Sequence, residues 1–172
     1  MNDTDYPKIP PRLKNIHLSS PVYFVTCCTY ERQALLANEF IHQAFVDFVK
    51  RGFSGRSVAV GRYVLMPDHI HFFVCGPYDF RLSVWANQLK GFLTKKIRIS
   101  RPQGDCYRDP SHSPAANVNG QVWQRGFFDH VLRSHESYSE KWRYVEQNPV
   151  RAGLVENAAD WPYAGQIMEI RL

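Results

Sequence analysis

The hydrophobic pattern along the chain switches between a period of two and a period near 3.6, and the switches predict the elements. Residues 22–30, VYFVTCCTY, are β-branched and aromatic, which predicts a buried strand. In residues 39–51, EFIHQAFVDFVKR, Phe40, Ala44, Phe45 and Phe48 recur at helical spacing, and Gly52 is the expected stop. Two further apolar runs, SVAVGRYVLM and HIHFFVC, meet at Pro67-Asp68 and predict a hairpin. Residues 80–99 give the clearest helix: Leu82, Trp85, Leu89, Phe92 and Leu93 form one stripe, with Lys90, Lys95 and Arg98 outside it. The aperiodic stretch after it, rich in Pro, Ser, Asn and Gly, is expected to be a flexible loop over 101–120, leaving its Cys106 and His112 without a role. VWQRGFFDHVLR then predicts a strand. A last helix starts near Ser134–Ser137 with Glu136 and Glu140 in its first turns, and ends near Asn148, because Pro149 disfavours helical geometry in the residue before it. The segment VRAGLVENAADWPYAG reads as a wrapping tail.

This order of elements is a βαββαβ series with one extra helix. It predicts an α+β fold, a ferredoxin-like antiparallel sheet with its helices on one face and an additional C-terminal helix. One domain is expected over 21–172. It follows an extended basic arm over 1–20, where Pro7, Pro10 and Pro11 alternate with Lys8, Arg12 and Lys14.

Composition narrows the function classes. A length of 172 residues suits one core, and 21 basic against 16 acidic residues leave a net charge of +5, which favours an anionic partner. No apolar run approaches the roughly 18 residues of a membrane span, so no membrane role is expected. The first residues lack the apolar stretch of a secretion signal. Cys27, Cys28, Cys75 and Cys106 form neither a CxxC pair nor a metal-finger spacing and read as reduced thiols of a cytoplasmic protein.

Candidate chemistry begins at His69-Ile70-His71. Residues two apart on a strand project from the same face, so both imidazoles point together while Ile70, Phe72 and Val74 face the core. Such a pair can share a cation, or it can be an ordinary polar patch on an exposed sheet face. A histidine-triad hydrolase needs a third His at position 73, which is Phe73. Two imidazoles are also too few for a structural zinc site. On the last helix Tyr138, Trp142 and Val145 define the packing stripe, and Tyr144 lies off it with Asn148 one turn further on the same face. These two are either a surface tyrosine and a helix-ending asparagine, or a nucleophile and a polar partner. A phenol that titrates near 10 is a poor nucleophile unless a cation polarises the phosphodiester it attacks. A phosphotyrosine link conserves bond energy, so rejoining needs no ATP, in keeping with the lack of a Walker loop.

VLMPDHIHFFV, VWQRGFFDHVLR and YVEQNPVRAGLVENAADWPY together resemble the single-tyrosine HUH transposases, and most of all their branch of REP-associated tyrosine transposases. The resemblance runs from about residue 14 to residue 165. It implies two metal ligands at His69 and His71, a nucleophile at Tyr144, and a third ligand at Asn148. It also implies cleavage of single-stranded DNA beside hairpins through a 5′-phosphotyrosine, with release of a 3′-hydroxyl. Mg²⁺ or Mn²⁺ is the implied metal, although imidazole ligands suit manganese, zinc or iron better than magnesium. Many insertion-sequence relatives act as a homodimer with the tyrosine helix exchanged, whereas the REP-associated branch includes monomers, and both states stay open. The rivals are an HUH replication-type nickase, a domesticated hairpin-DNA-binding protein that does not cut, and a small-molecule phosphoesterase.

DNA phosphates are expected at Lys8, Arg12, Lys14, Arg32, Lys90, Lys95, Arg98 and Arg125, and base stacking at Trp123, Phe127 and Phe128. His130 reads as a hydrogen-bonded structural histidine.

Overall fold

The Pro67-Asp68 hairpin organises the sheet. The computed structural model describes residues 21–56, 58–100, 120–132 and 134–170. The expected basic arm (1–20, with Lys8, Arg12 and Lys14) and 101–119, with Cys106 and His112, lie outside the described residues.

Strands β2 (Ala59–Leu65) and β3 (His69–Cys75) pair antiparallel, closed by the Met66 N–H donating to the His69 carbonyl at 2.8 Å. β1 (Val22–Cys28) flanks β3, with Thr26 opposite His71 and Cys28 opposite His69. β4 (Phe128–Leu132) pairs with β1. The tail adds a short β5 (Ala164–Gln166) on the β2 edge, so the sheet has five strands in the order β4-β1-β3-β2-β5. Its first four strands are the ferredoxin-like set that the pattern predicts.

Helices α1 (Glu39–Arg56) and α2 (Leu82–Ser100) cover one face, where Phe45, Trp85, Leu89 and Leu93 pack on Val25, Ile70, Phe72 and Val74. Helix α3 (His135–Glu146) covers the other face, packing Val145, Tyr138 and Trp142 on Val22, Phe24, Val64, Phe73 and Leu132. The two helices of the ferredoxin-like set thus share one face, as the pattern predicts, and the additional C-terminal helix takes the other. β1 and β3 carry apolar residues on both sides, so each side needs a covering layer.

Three boundaries also differ. α1 runs through Gly52, where an added Cβ would sit 3.7 Å from the Trp85 indole nitrogen, so this glycine lines the α1–α2 contact instead of ending the helix. The strand expected over VWQRGFFDHVLR is regular only from Phe128, with Trp123 forming an isolated bridge to Thr29. α3 ends at Glu146, and Asn148 opens a separate turn, α4 (Asn148–Arg151), with Pro149 near its start, where a missing N–H costs nothing.

The first turn of α3 is fixed in two ways. Ser134 caps its N-terminus in a reciprocal box with Ser137. In β2, Gly61 leaves room for Tyr138: a Cβ there would lie 2.8 Å from the Tyr138 hydroxyl, which accepts from the Arg62 N–H at 3.3 Å. That close approach requires glycine at a point where the β2–β3 register shifts.

Candidate active site

The strand period places His69 and His71 side by side on the α3 face of the sheet, with ring centroids 4.6 Å apart and nearly perpendicular. Each ring has its Nδ1 engaged by a neighbour. Asp68, in the turn, accepts from His69 Nδ1 at 2.6 Å. The Thr26 hydroxyl, opposite on β1, lies 2.8 Å from His71 Nδ1. A carboxylate can only accept, so His69 donates from Nδ1 and its Nε2 keeps a lone pair; in the tautomer that donates from Nδ1 to the Thr26 hydroxyl, His71 does the same. A hydrogen bond behind the ring orients each as in metal-binding histidines. Phe24 stacks on His71 with centroids 5.4 Å apart.

Burial lowers the pKa of both imidazoles. For His71 it falls to about 3, first through desolvation, then through the charges of His69, Arg32, Lys141 and Arg151. For His69 desolvation also dominates, with Asp68 opposing it. The pair is therefore neutral near pH 7, the state in which imidazole donates to a cation. The unfolded chain takes up a proton on this imidazole near pH 6.5, whereas folded His71 refuses it until about 3. In metal-free buffer, stability is expected to be full above about pH 7 and to fall as the pH drops below about 6.5, with a slope approaching ~1.4 kcal/mol per unit from His71. Urea unfolding of wild type and His71→Gln across that window checks this: the variant should lose the His71 share of the slope and keep the share from His69 and His42, whose pKa burial also lowers.

Asp68 has a second partner. Arg32 Nε donates to its other carboxylate oxygen at 2.8 Å, completing a line Arg32–Asp68–His69. Arg32 and Glu31 sit at φ 56° and 50°, left-handed conformations costing side-chain-bearing residues about 1–2 kcal/mol each. The surrounding backbone holds them there: buried Thr29 donates its N–H and hydroxyl to the Asp68 carbonyl at 2.8 and 2.9 Å, and the Leu35 and Leu36 N–H groups donate to the Pro67 carbonyl. Arg32 thus braces the carboxylate behind His69 through Nε, while its side chain stays about half exposed.

Tyr144 is 64% exposed on α3, off the buried stripe as its spacing predicts. The Arg151 guanidinium stacks 4.2 Å from its ring centroid and donates to its carbonyl at 2.6 Å. The same guanidinium nitrogen donates to Asn148 Oδ1. The Arg151 and Lys141 charges both act on His71, so α3 and α4 turn these two cations toward the imidazole pair. Lys141 lies over Phe24 at 5.4 Å. Among the described residues no third His, Cys, Asp or Glu completes a metal cluster. Were His69, His71 and Asn148 to hold a cation, two imidazole nitrogens and an amide oxygen would suit Mn²⁺ more naturally than Mg²⁺.

A family model described as Transposase IS200 like matches residues 18–148. The chain belongs to the IS200-like transposase family. Within that family it is 35% identical over 153 residues to a REP-associated tyrosine transposase of Escherichia coli K12, covering 83% of this chain and 73% of the relative. A Haemophilus influenzae protein assigned to the same branch is 26% identical over 148 residues, covering 83% of this chain and 78% of its own. The solved structure of a REP-associated tyrosine transposase bound to a REP hairpin shares the fold, with a TM-score of 0.66 at 20% identity, over 90% of this chain and 81% of that one. The chain is a REP-associated tyrosine transposase by family.

For this transposase the expected DNA contacts divide. Lys95 and Arg125 are exposed. Arg98 donates to the Gly120 carbonyl at 3.0 Å. Lys90 is turned inward, donating to the Gln124 and Gly126 carbonyls at 2.9 and 2.7 Å. Trp123 is only 7% exposed, with its indole N–H given to the Lys90 carbonyl and the Thr94 hydroxyl, and Phe127 is equally buried. Lys90, Trp123 and Phe127 therefore fasten the β4 approach to α2, and the two buried rings present no face for a base to stack on. Phe128, 54% exposed, keeps a free face. His130 is exposed beside Phe24 in the register. The sequence reading passes over Thr26, Asp68, Lys141 and Arg151. Of these, Asp68, adjacent to His69 in a turn, Lys141, three residues before Tyr144 on its helix face, and Arg151, three residues beyond Asn148, leave a local signal, and Thr26 leaves none.

Proposed function

We propose that this transposase is a metal-dependent single-stranded DNA endonuclease and strand transferase that acts beside hairpins, with Tyr144 as nucleophile. One observation carries this reading: two neutral imidazoles, each oriented by a hydrogen bond at Nδ1, share a sheet face with the helix that exposes Tyr144. His69, His71 and Asn148 would hold Mg²⁺ or Mn²⁺. When bound, the cation supplies charge neutralisation for the phosphodiester in the transition state. The chain's own residues do the rest. The Tyr144 phenolic oxygen forms a bond to phosphorus, its proton passing to the solvent that the exposed ring meets. The bond from phosphorus to O3′ breaks, and O3′ leaves as a hydroxyl after taking a proton from water. A 5′-phosphotyrosine remains, and attack by another 3′-hydroxyl reverses the step. Lys141 and Arg151 place positive charge where the phosphate must approach.

The reading that the family relative bound to a REP hairpin marks the substrate class supports hairpin-bearing DNA as the partner here. The test is a denaturing gel of the protein with labelled single-stranded hairpins from its own genomic neighbourhood, in Mn²⁺, Mg²⁺ or EDTA. A covalent band in metal and none in EDTA is expected. Salt-sensitive binding with no band in either metal would instead favour the hairpin-binding protein that does not cut.

A further inference from the structure

Arg151 makes an arrangement that the nuclease reading leaves unexplained. Its guanidinium spans three groups at once: the Tyr144 ring, the Tyr144 carbonyl and Asn148 Oδ1. The carbonyl belongs to the last turn of α3, where it has no partner from the helix itself, so the contact is a C-terminal cap by a cation. The geometry of α4 holds the side chain there. Arg151 N–H donates to the Gln147 carbonyl at 2.9 Å, buried Pro149 anchors the turn, and Gly153 at φ 68° closes it. Among the described residues no carboxylate pairs with this guanidinium, so its charge is met only by neutral acceptors.

The consequence lies in the oxygen it holds. Asn148 Oδ1 is the amide oxygen that would face the cation, and here it is the acceptor of a guanidinium. A divalent cation and a guanidinium cannot share one neutral oxygen without strong like-charge repulsion. We propose that Arg151 is a positioning residue that withholds Asn148 from the metal, so that the DNA-free protein offers the cation two imidazoles only. The inference rests on the reading of His69, His71 and Asn148 as the metal site. The cap to the Tyr144 carbonyl keeps Arg151 in place when Asn148 lets go. A phosphate oxygen is the natural group to draw the guanidinium off the amide, since charge-assisted pairs to phosphate are stronger than those to a neutral oxygen.

The test reads metal affinity and not cleavage: Mn²⁺ titration of the DNA-free protein, followed by electron paramagnetic resonance of the free ion. Arg151→Met keeps the stem over the Tyr144 ring and removes the donor. It is expected to bind Mn²⁺ about fivefold more tightly than wild type, and the same substitution in an Asn148→Ala background is expected to give a clearly smaller gain, the part that comes from removing a nearby positive charge alone. Arg151→Ala serves as the second variant, with circular dichroism confirming that both fold. A gain of equal size in both backgrounds would show a simple charge effect and overturn the proposal. So would no gain, or a loss, in folded Arg151→Met and Arg151→Ala. Wild type whose Mn²⁺ binding is absent or indifferent to His69→Ala would remove the metal site itself, a failure distinct from these.

Discussion

His69→Ala and His71→Ala are each expected to slow formation of the covalent protein–DNA product about a thousandfold, equivalent to ~4 kcal/mol of transition-state stabilisation. The two rings stand 4.6 Å apart, and each is aimed by a partner behind it, so neither can replace the other. Loss of either imidazole leaves a single nitrogen donor beside the positive charges of Arg32, Lys141 and Arg151, a setting that repels a cation. Single-turnover cleavage across a Mn²⁺ titration measures this. The loss should persist at saturating metal for both variants, while binding to the hairpin changes by no more than a few fold, because neither substitution removes a positive charge. Asp68→Asn gives a milder version through the same atoms. It keeps an oxygen near His69 Nδ1 but surrenders the carboxylate that Arg32 braces, and the order of effect to expect is about tenfold to a hundredfold in metal affinity.

The largest stability effect is expected at Phe73. It is fully buried, and its ring touches Phe24 at 5.2 Å, Tyr138 at 4.3 Å and Trp142 at 6.4 Å, so it is the contact that seats α3 on the sheet. Phe73→Ala should cost about 3–5 kcal/mol and lower the melting temperature by roughly 10 °C. It should also slow adduct formation by the molecules that remain folded, because Tyr144 rides on α3 while the histidines stay on β3. Leu93→Ala is the control: it opens a cavity in the core on the opposite face, where α1 and α2 pack, and should cost about 2–5 kcal/mol without altering the rate per folded molecule. Thermal melts and single-turnover rates in the same samples separate the two.

These expectations depend on side chains that the sequence exposes unequally. The HxH pair is legible because strand geometry alone puts residues two apart on one face. Tyr144 is legible because a helix stripe of Tyr138, Trp142 and Val145 leaves it outside, and the structure keeps it exposed. The ferredoxin-like core follows from the alternation of apolar runs and the turn at Pro67-Asp68. What was hidden is what depends on register or on distant packing. Thr26 reaches His71 only because β1 lies beside β3 in one register, 45 residues away in sequence. β5 is three residues long and carries no alternation to read. Trp123 looked like a stacking platform because an aromatic beside a basic residue is the same pattern on a surface and in a core. Lys90 sits over that indole and bonds to backbone carbonyls, a tertiary arrangement that no local spacing announces. Gly52 misled for a related reason, since a glycine that admits a neighbouring helix and one that ends its own helix are the same letter.

The central claim is that the Tyr144 hydroxyl becomes bonded to the 5′ side of the cut. The most direct test is peptide mapping by tandem mass spectrometry of the protein after reaction with a single-stranded hairpin in Mn²⁺ and nuclease trimming of the attached DNA. The account predicts a nucleotide-derived mass on the peptide that contains Tyr144, with fragment ions placing it on that side chain and none of it in EDTA. Attachment at Tyr138 or any other residue, or cleavage that proceeds to a free 5′-phosphate with no modified peptide, would contradict it.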